Sequence, residues 1–168
     1  MGDELPSYCA DLGRTVVRQA NHNDVVWIAD HMRRADIREV MAGGSTPYDS
    51  LRGGLINSRR CITAEYDGVP ALMAGVVDDM EAPGMFGAIW MLATDDLKKI
   101  RKPLLRHGKD VLAYLGEGYH HIGNGVASFN TVHIRWLRWM GFKFYNEFKV
   151  GDVSFYSFGM VMTDVYGR

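Results

Sequence analysis

Cysteine is scarce in this sequence, since Cys9 and Cys61 are the only two in 168 residues. Two isolated cysteines make neither a disulfide framework nor a metal-binding cluster, and so few cysteines suit a reducing compartment. The sequence also has no apolar run that approaches the ~18 residues of a membrane-spanning helix. We therefore expect no membrane span and no metal site.

An excess of charge of one sign is also lacking. Nineteen Lys and Arg residues face twenty Asp and Glu residues, which gives a formal net charge of −1. Proteins whose main task is to bind nucleic acid usually carry a basic surplus, so we expect no nucleic-acid specificity. The length suits one domain over residues 1–168. Residues 1–12 are acidic without an apolar segment, which predicts an N-terminal extension and no signal peptide.

Local signals along the chain predict a series of alternating elements. Asn21–Asp24 offers helix-capping side chains, Thr46-Pro47 is typical of a helix start, and Asp67-Gly68 is typical of a hairpin turn. The predicted elements are a strand at 14–19, helices from Asn21 to Gly43 and from Thr46, strands at 61–66, 69–77 and 86–92, a helix at 97–115, a strand at 126–129, a helix at 130–140, and strands at 143–150 and 153–162.

The predicted order is β-α-α-β-β-β-α-β-α-β-β, which is an α/β arrangement. Because the strands begin as a hairpin and later alternate with helices, we expect a mixed sheet with helices packed on its faces. The continuous apolar run from Phe86 to Leu92 favours a central strand buried on both faces. Pro103 is expected in the first turn of its helix, because a proline deeper inside disrupts helical hydrogen bonding.

The segment from Asn130 to Phe142, NTVHIRWLRWMGF, carries a family resemblance. It resembles the helix near the end of GNAT N-acyltransferase domains, which begins with Asn and ends in Leu/Met-Gly-Phe about a dozen residues later. The order of elements is similar to the GNAT fold along nearly the whole chain. In physical terms, Asn130 can cap the helix, and Gly141 can adopt the left-handed conformation that ends it.

A narrower resemblance lies in the same segment. The run HIRWLRWMGF is similar to the GNAT-like internal virion protein family of short-tailed phages. This resemblance implies a non-catalytic virion or internal-core assembly component, with other phage virion proteins of the core or tail as partners. It also implies a location in the host cytoplasm or the virion, and it leaves a homo-oligomer open.

The sequence departs in two places from GNAT enzymes. Such enzymes follow the central strand with a Gln/Arg-x-x-Gly-x-Gly/Ala loop that holds the coenzyme pyrophosphate, whereas Thr94 to Pro103 contains no glycine. Leu137 stands seven residues after Asn130, where the family has a tyrosine that acts as general acid, and Leu137 cannot donate a proton. We therefore expect no cofactor and leave any catalytic residue unassigned.

The alternative is an acetyl-CoA-dependent N-acetyltransferase that acts on an amine. Under that alternative the central strand would grip the pantetheine arm, a basic cluster would hold the pyrophosphate, and Asn130 would face the far end of the coenzyme. The cofactor-binding residues would be Trp90, Met91, Leu92, Lys98, Lys99, Arg101, Lys102 and Asn130. The competing interpretation is that this basic cluster is only the solvent-exposed start of a helix and binds no ligand.

Three residues of the Asn130 helix form a candidate partner surface. Arg135 and Arg138 are three positions apart and so lie close together on a helix, and Trp139 follows them. Tryptophan and arginine are enriched at protein interfaces. The competing interpretation places the arginines in solvent and the tryptophan in the core. Asp78, Asp79 and Glu81 form a loop that can supply a general base, although a solvated loop is favoured.

Overall fold

The computed structural model describes residues 8–163, so residues 1–7 of the predicted N-terminal extension lie outside the described residues. Within this range the chain forms a mixed α/β domain of five helices and one eight-stranded sheet. The elements are β1 (Ala10–Leu12), β2 (Thr15–Gln19), α1 (His22–His31), α2 (Arg34–Ala42), α3 (Pro47–Asn57), β3 (Ser58–Tyr66), β4 (Val69–Asp78), β5 (Phe86–Ala93), α4 (Leu97–Gly116), β6 (His121–Ala127), α5 (Thr131–Met140), β7 (Lys143–Val150) and β8 (Val153–Val161).

The sheet has the strand order β1-β2-β3-β4-β5-β6-β8-β7. Neighbouring strands are antiparallel except β5 and β6, which are parallel. Because parallel neighbours need a crossover connection, α4 carries the chain from the end of β5 back to the start of β6. The predicted α/β class with a mixed sheet is therefore confirmed.

Helices cover both faces of the sheet. On the first face, Val25 and Ile28 of α1 and Leu51 of α3 are fully buried against Met73 and Leu92. On the second face, α4 and α5 pack on the opposite side chains of the same strands; the buried residues there include Ile62, Leu72, Val76, Ile89, Ile100, Leu112, Ile122 and Leu137. Burial of these two apolar layers is the main stabilising contribution.

Several of the predicted helix and turn boundaries are present. Asn21 and Asp24 form a reciprocal capping box at the start of α1, and the Thr46 side chain accepts a hydrogen bond from the Asp49 N–H at the start of α3. Gly141 ends α5 with a φ of 96°. The Asp67-Gly68 turn joins β3 to β4 with positive φ at both residues.

The structure has two elements that the sequence pattern did not predict, β1 and α2. The predicted Asn21–Gly43 helix is divided because the Arg33 N–H donates to the Ala93 carbonyl at 2.9 Å, and Met32 forms a bridge with Thr94. These contacts pull the chain into an extended conformation at Arg33, with ψ of 145°. A hydrogen bond to the sheet thus replaces helical ones, which the helical period cannot reveal.

Three further expectations were wrong. Pro103 is the seventh residue of α4, so the helix tolerates the loss of one internal donor. β5 is not buried on both faces along its whole length, since Phe86 is 44% exposed and Ala88 is also exposed. β6 spans His121–Ala127 rather than 126–129, because its pairing with β8 begins at His121. No described helix combines the length and apolar character that crossing a bilayer requires.

Candidate functional site

A gap in the middle of the sheet is the most distinctive feature of the site. The parallel pairing of β5 with β6 covers only Phe86–Ala88 against His121–Gly123, although both strands continue beyond it. At the point where the pairing stops, the Asn124 side chain donates from Nδ2 to the Ile89 carbonyl at 2.8 Å. Beyond this bond the two strands are separated by cavities that contact both helical layers.

At the free edge of β5, the backbone N–H and C=O groups of alternate residues face the gap. Backbone groups alternate between the two neighbours of a strand, and Thr94 N–H donates to Ala71 on the β4 side at 2.8 Å. The groups of Ile89, Met91 and Ala93 therefore face the gap. The Ala93 N–H donates to Asp36 Oδ2 at 2.9 Å, and the Ile89 carbonyl is occupied by Asn124. Among the described residues, this leaves the Met91 backbone without a partner across the gap.

A buried polar cluster seals the carboxyl end of the gap. Arg33 donates from Nη2 to Asn130 Oδ1 at 2.7 Å, and Asn130 Nδ2 lies 3.1 Å from Asp36 Oδ1. The same Nδ2 lies 3.2 Å from Glu39 Oε2 and 3.2 Å from His133 Nδ1. Asn130 makes no side-chain cap to α5, so the predicted capping bond is wrong. The side chain instead joins α5 to α2.

Burial dominates the electrostatics of this cluster. It raises the pKa of Asp36 to about 6, against an opposing influence of Arg33, and it raises the pKa of Glu39. It lowers the pKa of His133 to about 3, with Arg33 adding to the effect. The lowered pKa makes His133 neutral near pH 7. Within this cluster, the buried nitrogen atoms with no hydrogen-bond partner in the described structure are Arg33 Nη1 and His133 Nε2.

A cleft of about 560 Å³ adjoins this cluster on the second face of the sheet, between the start of α4 and the exposed side of α5. We call it the cationic cleft, because four basic side chains and one acidic side chain line it; its charged and polar walls are Arg33, Thr94, Asp95, Lys98, Arg101, His133, Arg135, Trp136 and Trp139. Asp96 precedes α4 without a side-chain cap to the helix, although the Leu97 and Lys99 amides already donate to the Thr94 and Asp96 carbonyls at 3.1 and 2.8 Å. Arginine, lysine and a helix N-terminus together favour an anion.

The cleft brings together residues that the sequence assigned to two different roles. Met91, Lys98 and Arg101 from the coenzyme hypothesis line it, and so do Arg135 and Trp139 from the partner hypothesis. Because Trp139 is 62% exposed, its indole is not part of the core.

Other predicted residues lie elsewhere. Lys99 forms an ion pair with Asp96 at 2.9 Å, and Lys102 is exposed outside the cleft wall. Trp90 packs on the first face of the sheet. Arg138 lies over the Phe144 ring, 5.2 Å from its centroid, and so points away from the cleft. Leu92 is buried on the first face beside Trp90, and Asn130 lies beneath the cleft in the polar cluster.

A second cavity of about 340 Å³ passes through the gap to the first face of the sheet. We call it the through-sheet cavity; residues on its walls include Glu39, Ser50, Trp90, Met91, Asn124, Leu137 and Phe155. Met91 lines both this cavity and the cationic cleft, so the two spaces meet at the free edge of β5. Leu137 presents only an apolar side chain there and supplies no proton donor.

The acidic loop after β4 has a local role. Asp78 accepts from the Tyr119 hydroxyl at 2.5 Å and pairs with Arg59 at 3.3 Å, while Asp79 accepts from the backbone of Glu81 at 2.8 Å. Burial raises the pKa of Tyr119 to about 12, and the bond to Asp78 adds to the rise. These contacts favour the solvated-loop interpretation for Asp79 and Glu81.

Arg33 and Glu39 are site residues that the sequence analysis did not identify. The available signal was the spacing of Arg33, Asp36 and Glu39, which places three charged residues on one face of a helix. That spacing alone does not distinguish a buried charged face from a solvated one.

Comparison with solved structures identifies the architecture. The acetyltransferase of the GNAT family from Bacillus anthracis aligns with a TM-score of 0.65 over 92% of this chain and 99% of its own, at 11% identity. The GNAT domain of S. lividans PAT gives 0.66 over 92% and 96%, at 14% identity. This chain has the GNAT fold.

One of the similar structures was solved with its cofactor bound. Salmonella typhimurium yncA with acetyl-CoA aligns with a TM-score of 0.57 over 89% of this chain and 95% of its own, at 15% identity. No family model matches the sequence, and no curated protein sequence matches it. The resemblance to GNAT domains in segment 130–142 therefore extends to the whole described fold. These comparisons give no support for the narrower resemblance to phage internal virion proteins.

Proposed function

We propose that this protein is an acyl-coenzyme-A-dependent N-acyltransferase, with acetyl-CoA as the acyl donor. The main support for this proposal is the buried guanidinium of Arg33. Its Nη1 has no hydrogen-bond partner in the described structure, and the residue lines the cationic cleft. The charge is paired, since Arg33 Nε lies 3.7 Å from Asp36 Oδ1, but a buried N–H of a charged group that has no acceptor is costly. An anionic ligand in the cleft would satisfy it.

The described residues fit the coenzyme in a particular way. The Met91 backbone at the free edge of β5 would bind the amides of the pantetheine arm, because it faces the gap unpaired. Lys98, Arg101 and Arg135, with the start of α4, would bind the phosphates. The coenzyme would supply an activated acyl group.

The absence of a glycine-rich loop after β5 lowers the affinity that we expect for the coenzyme. Side chains on Thr94 to Pro103 limit close approach of the backbone to a phosphate, so charged side chains carry more of the binding than backbone amides do. We therefore expect binding that is weaker than a glycine-rich loop would give and more sensitive to removal of a single cation.

Support for the reaction also comes from the neighbours, since one fold relative is solved with acetyl-CoA and another is a spermidine N-acetyltransferase chimera from Vibrio cholerae and hSSAT. Leu137 does not supply the proton that the family tyrosine gives, so the leaving thiolate must take its proton from the amine or from water. We expect a slow enzyme for this reason.

Isothermal titration with coenzyme A tests the proposal directly. Lys98→Glu combined with Arg101→Glu should weaken binding at least tenfold, because both charges face the cleft. Lys99→Glu and Lys102→Glu are matched controls outside the cleft and should change the dissociation constant less than threefold. Failure of the wild-type protein to bind coenzyme A at millimolar concentration would refute the proposal.

The second candidate is the non-catalytic one, a virion or internal-core assembly component of a phage. It is favoured by Leu137 at the acid position and by the exposure of Arg135, Arg138 and Trp139 on α5. Its partners would be core or tail proteins. Arg135→Glu with Arg138→Glu should abolish co-purification with such proteins while circular dichroism stays unchanged, and normal assembly of the double variant would contradict this surface.

A further inference from the structure

We infer that the through-sheet cavity is the acceptor subsite, that Glu39 takes the proton of the acceptor ammonium, and that the acceptor is a monoamine on an apolar or aromatic carrier. This inference rests on the proposed function, because it assigns the second substrate of the same site. It concerns the face of the sheet opposite the cationic cleft.

Two aromatic side chains, Trp90 and Phe155, line the cavity on this face, and contacts hold both in place. Trp90 donates from Nε1 to Ser58 Oγ at 2.9 Å, which holds its indole on the first face. Phe155 is 7% exposed and stacks on Phe148 with ring centroids 5.7 Å apart. Gly125 leaves room for this pair, since a Cβ there would lie 2.9 Å from the Phe148 ring. Aromatic walls of this kind bind apolar groups and planar rings.

Glu39 is the only carboxylate on the wall of this cavity among the described residues. Its Oε2 accepts from the Ala127 N–H at 2.8 Å and from Asn130 at 3.2 Å. Its Oε1 has no hydrogen bond in the described structure. One oxygen thus fixes the carboxylate, and the other stays available to a ligand. Burial raises the pKa of this carboxyl, which makes it a better proton acceptor near neutral pH.

Glu39 is the only protein group that this acyl transfer requires for its proton transfers. The acceptor ammonium, R–NH₃⁺, gives one proton to the Glu39 carboxylate and becomes the free amine. Its nitrogen forms a bond to the acyl carbon as the carbon–sulfur bond breaks, and the sulfur leaves as a thiolate that takes the nitrogen's second proton. Glu39 then returns its proton to solvent. No oxidant, reductant or metal is needed.

The number of charges defines the substrate class. One carboxylate matches one ammonium, whereas a polyamine would place further ammonium groups against Trp90, Phe155 and Ser50 without a counter-charge. Burying such an unpaired charge is costly. The remaining walls match an alkyl or aromatic carrier, so a monoamine of the 2-phenylethylamine type is the expected probe.

Direct binding of the amine tests the subsite without the coenzyme. In calorimetry, the wild-type protein should bind 2-phenylethylamine at least tenfold more tightly than spermidine. Glu39→Gln should weaken this binding at least tenfold, because glutamine keeps an acceptor for Ala127 N–H but loses the charge. Glu81→Gln, in the exposed loop after β4, is the matched control and should not alter binding.

Turnover with acetyl-CoA and 2-phenylethylamine provides the second readout. Glu39→Gln should lower kcat/KM about 100-fold or more and should remove the acidic limb of the pH profile, while coenzyme A binding stays within twofold of wild type. Tighter binding and faster acetylation of spermidine, or a Glu39→Gln variant with unchanged amine affinity and pH profile, would overturn the inference.

The outcomes separate the two proposals. If the wild type binds coenzyme A but neither binds nor acetylates the aromatic amine, the acceptor inference fails and the proposed function stands. If the wild type binds the amine through Glu39 but not coenzyme A, the acyltransferase function fails, and with it the catalytic role of Glu39.

Discussion

At the scale of single residues, Asn130 illustrates how one side chain can serve several elements. It is 1% exposed, and its amide lies within 3.2 Å of Arg33, Asp36, Glu39 and His133. A helix-capping asparagine would satisfy one backbone N–H, whereas this one connects buried and partly buried groups of both charged and neutral type. Its removal leaves several buried polar groups without partners.

Asn130→Ala should therefore lower the free energy of unfolding by about 3 kcal/mol, since a buried charged pair loses a hydrogen-bonding partner. Asn21→Ala provides the comparison, because Asn21 is a true helix cap on the surface and its loss should cost about 1 kcal/mol. Urea denaturation of both variants measures the difference. Equal losses would mean that the Asn130 cluster contributes no more than a cap.

Gly141→Val should lower the free energy of unfolding by about 2 kcal/mol, because valine is strained in the left-handed conformation. The φ of 96° at this position is one that glycine adopts freely. Gly53→Ala, in α3 with open space around the added methyl group, should instead raise stability by about 0.5 kcal/mol. A Gly141→Val protein that melts with wild type would show that α5 does not end there.

At the scale of elements, α2 determines what the gap between β5 and β6 can hold. Its carboxylates bind one amide on each side of the gap, Asp36 that of Ala93 and Glu39 that of Ala127. Arg33, the residue directly before this helix, lines the cationic cleft, and Glu39 of the helix lines the through-sheet cavity. One short helix, with the residue before it, thus sets the charge on both faces of the sheet.

The burial of His133 of α5 near Asp36 of α2, with Nε2 and Oδ1 3.7 Å apart, should make stability depend on pH. The folded pKa of His133, about 3, lies below the unfolded value of about 6.5, so below pH 6.5 only the unfolded state binds the proton. Stability from this group is therefore present above pH 6.5 and is lost as pH falls toward 3. His133→Gln should gain about 2 kcal/mol relative to wild type between pH 7.5 and 5.

Denaturation at several pH values checks this difference. The comparison with the variant is needed because Asp36, with its raised pKa of about 6, acts in the opposite sense. Its folded form binds a proton between about pH 4 and 6 while the unfolded form does not, so it favours folding as pH falls. A constant offset between wild type and His133→Gln across this range would contradict a neutral buried histidine.

At the scale of the whole molecule, the sequence signals that succeeded were local ones. Thr46-Pro47, Asp67-Gly68 and Gly141 act through their own backbone preferences, and the structure uses each as predicted. The site depends instead on distant pairs. The bond from Arg33 to Asn130 spans 97 positions, and that from Glu39 to Ala127 spans 88. No periodicity or short motif carries such pairings.

If coenzyme A binds as proposed, this near-neutral molecule should attract the anion only through the cationic cleft. At 0.1 M salt the screening length is about 10 Å, so the exposed Lys98, Arg101 and Arg135 should be strongly screened. Raising sodium chloride from 50 to 500 mM should weaken coenzyme A binding about tenfold and change 2-phenylethylamine binding far less, because Glu39 is half-buried. Titrations at both salt concentrations make the comparison, and equal sensitivity would argue against separate sites.

The short pairing between β5 and β6 has a consequence for how the chain is assembled. Strands β1 to β5 come from residues 10–93, and strands β6, β7 and β8 come from residues 121–161. The sheet is therefore two contiguous hairpin-built pieces that are joined by three residue pairs and by α4. A chain cut at the exposed Glu117-Gly118 turn would consist of two fragments, each holding the antiparallel pairings of its own strands. Such fragments are natural candidates for complementation, in which two separately expressed halves associate to restore one domain.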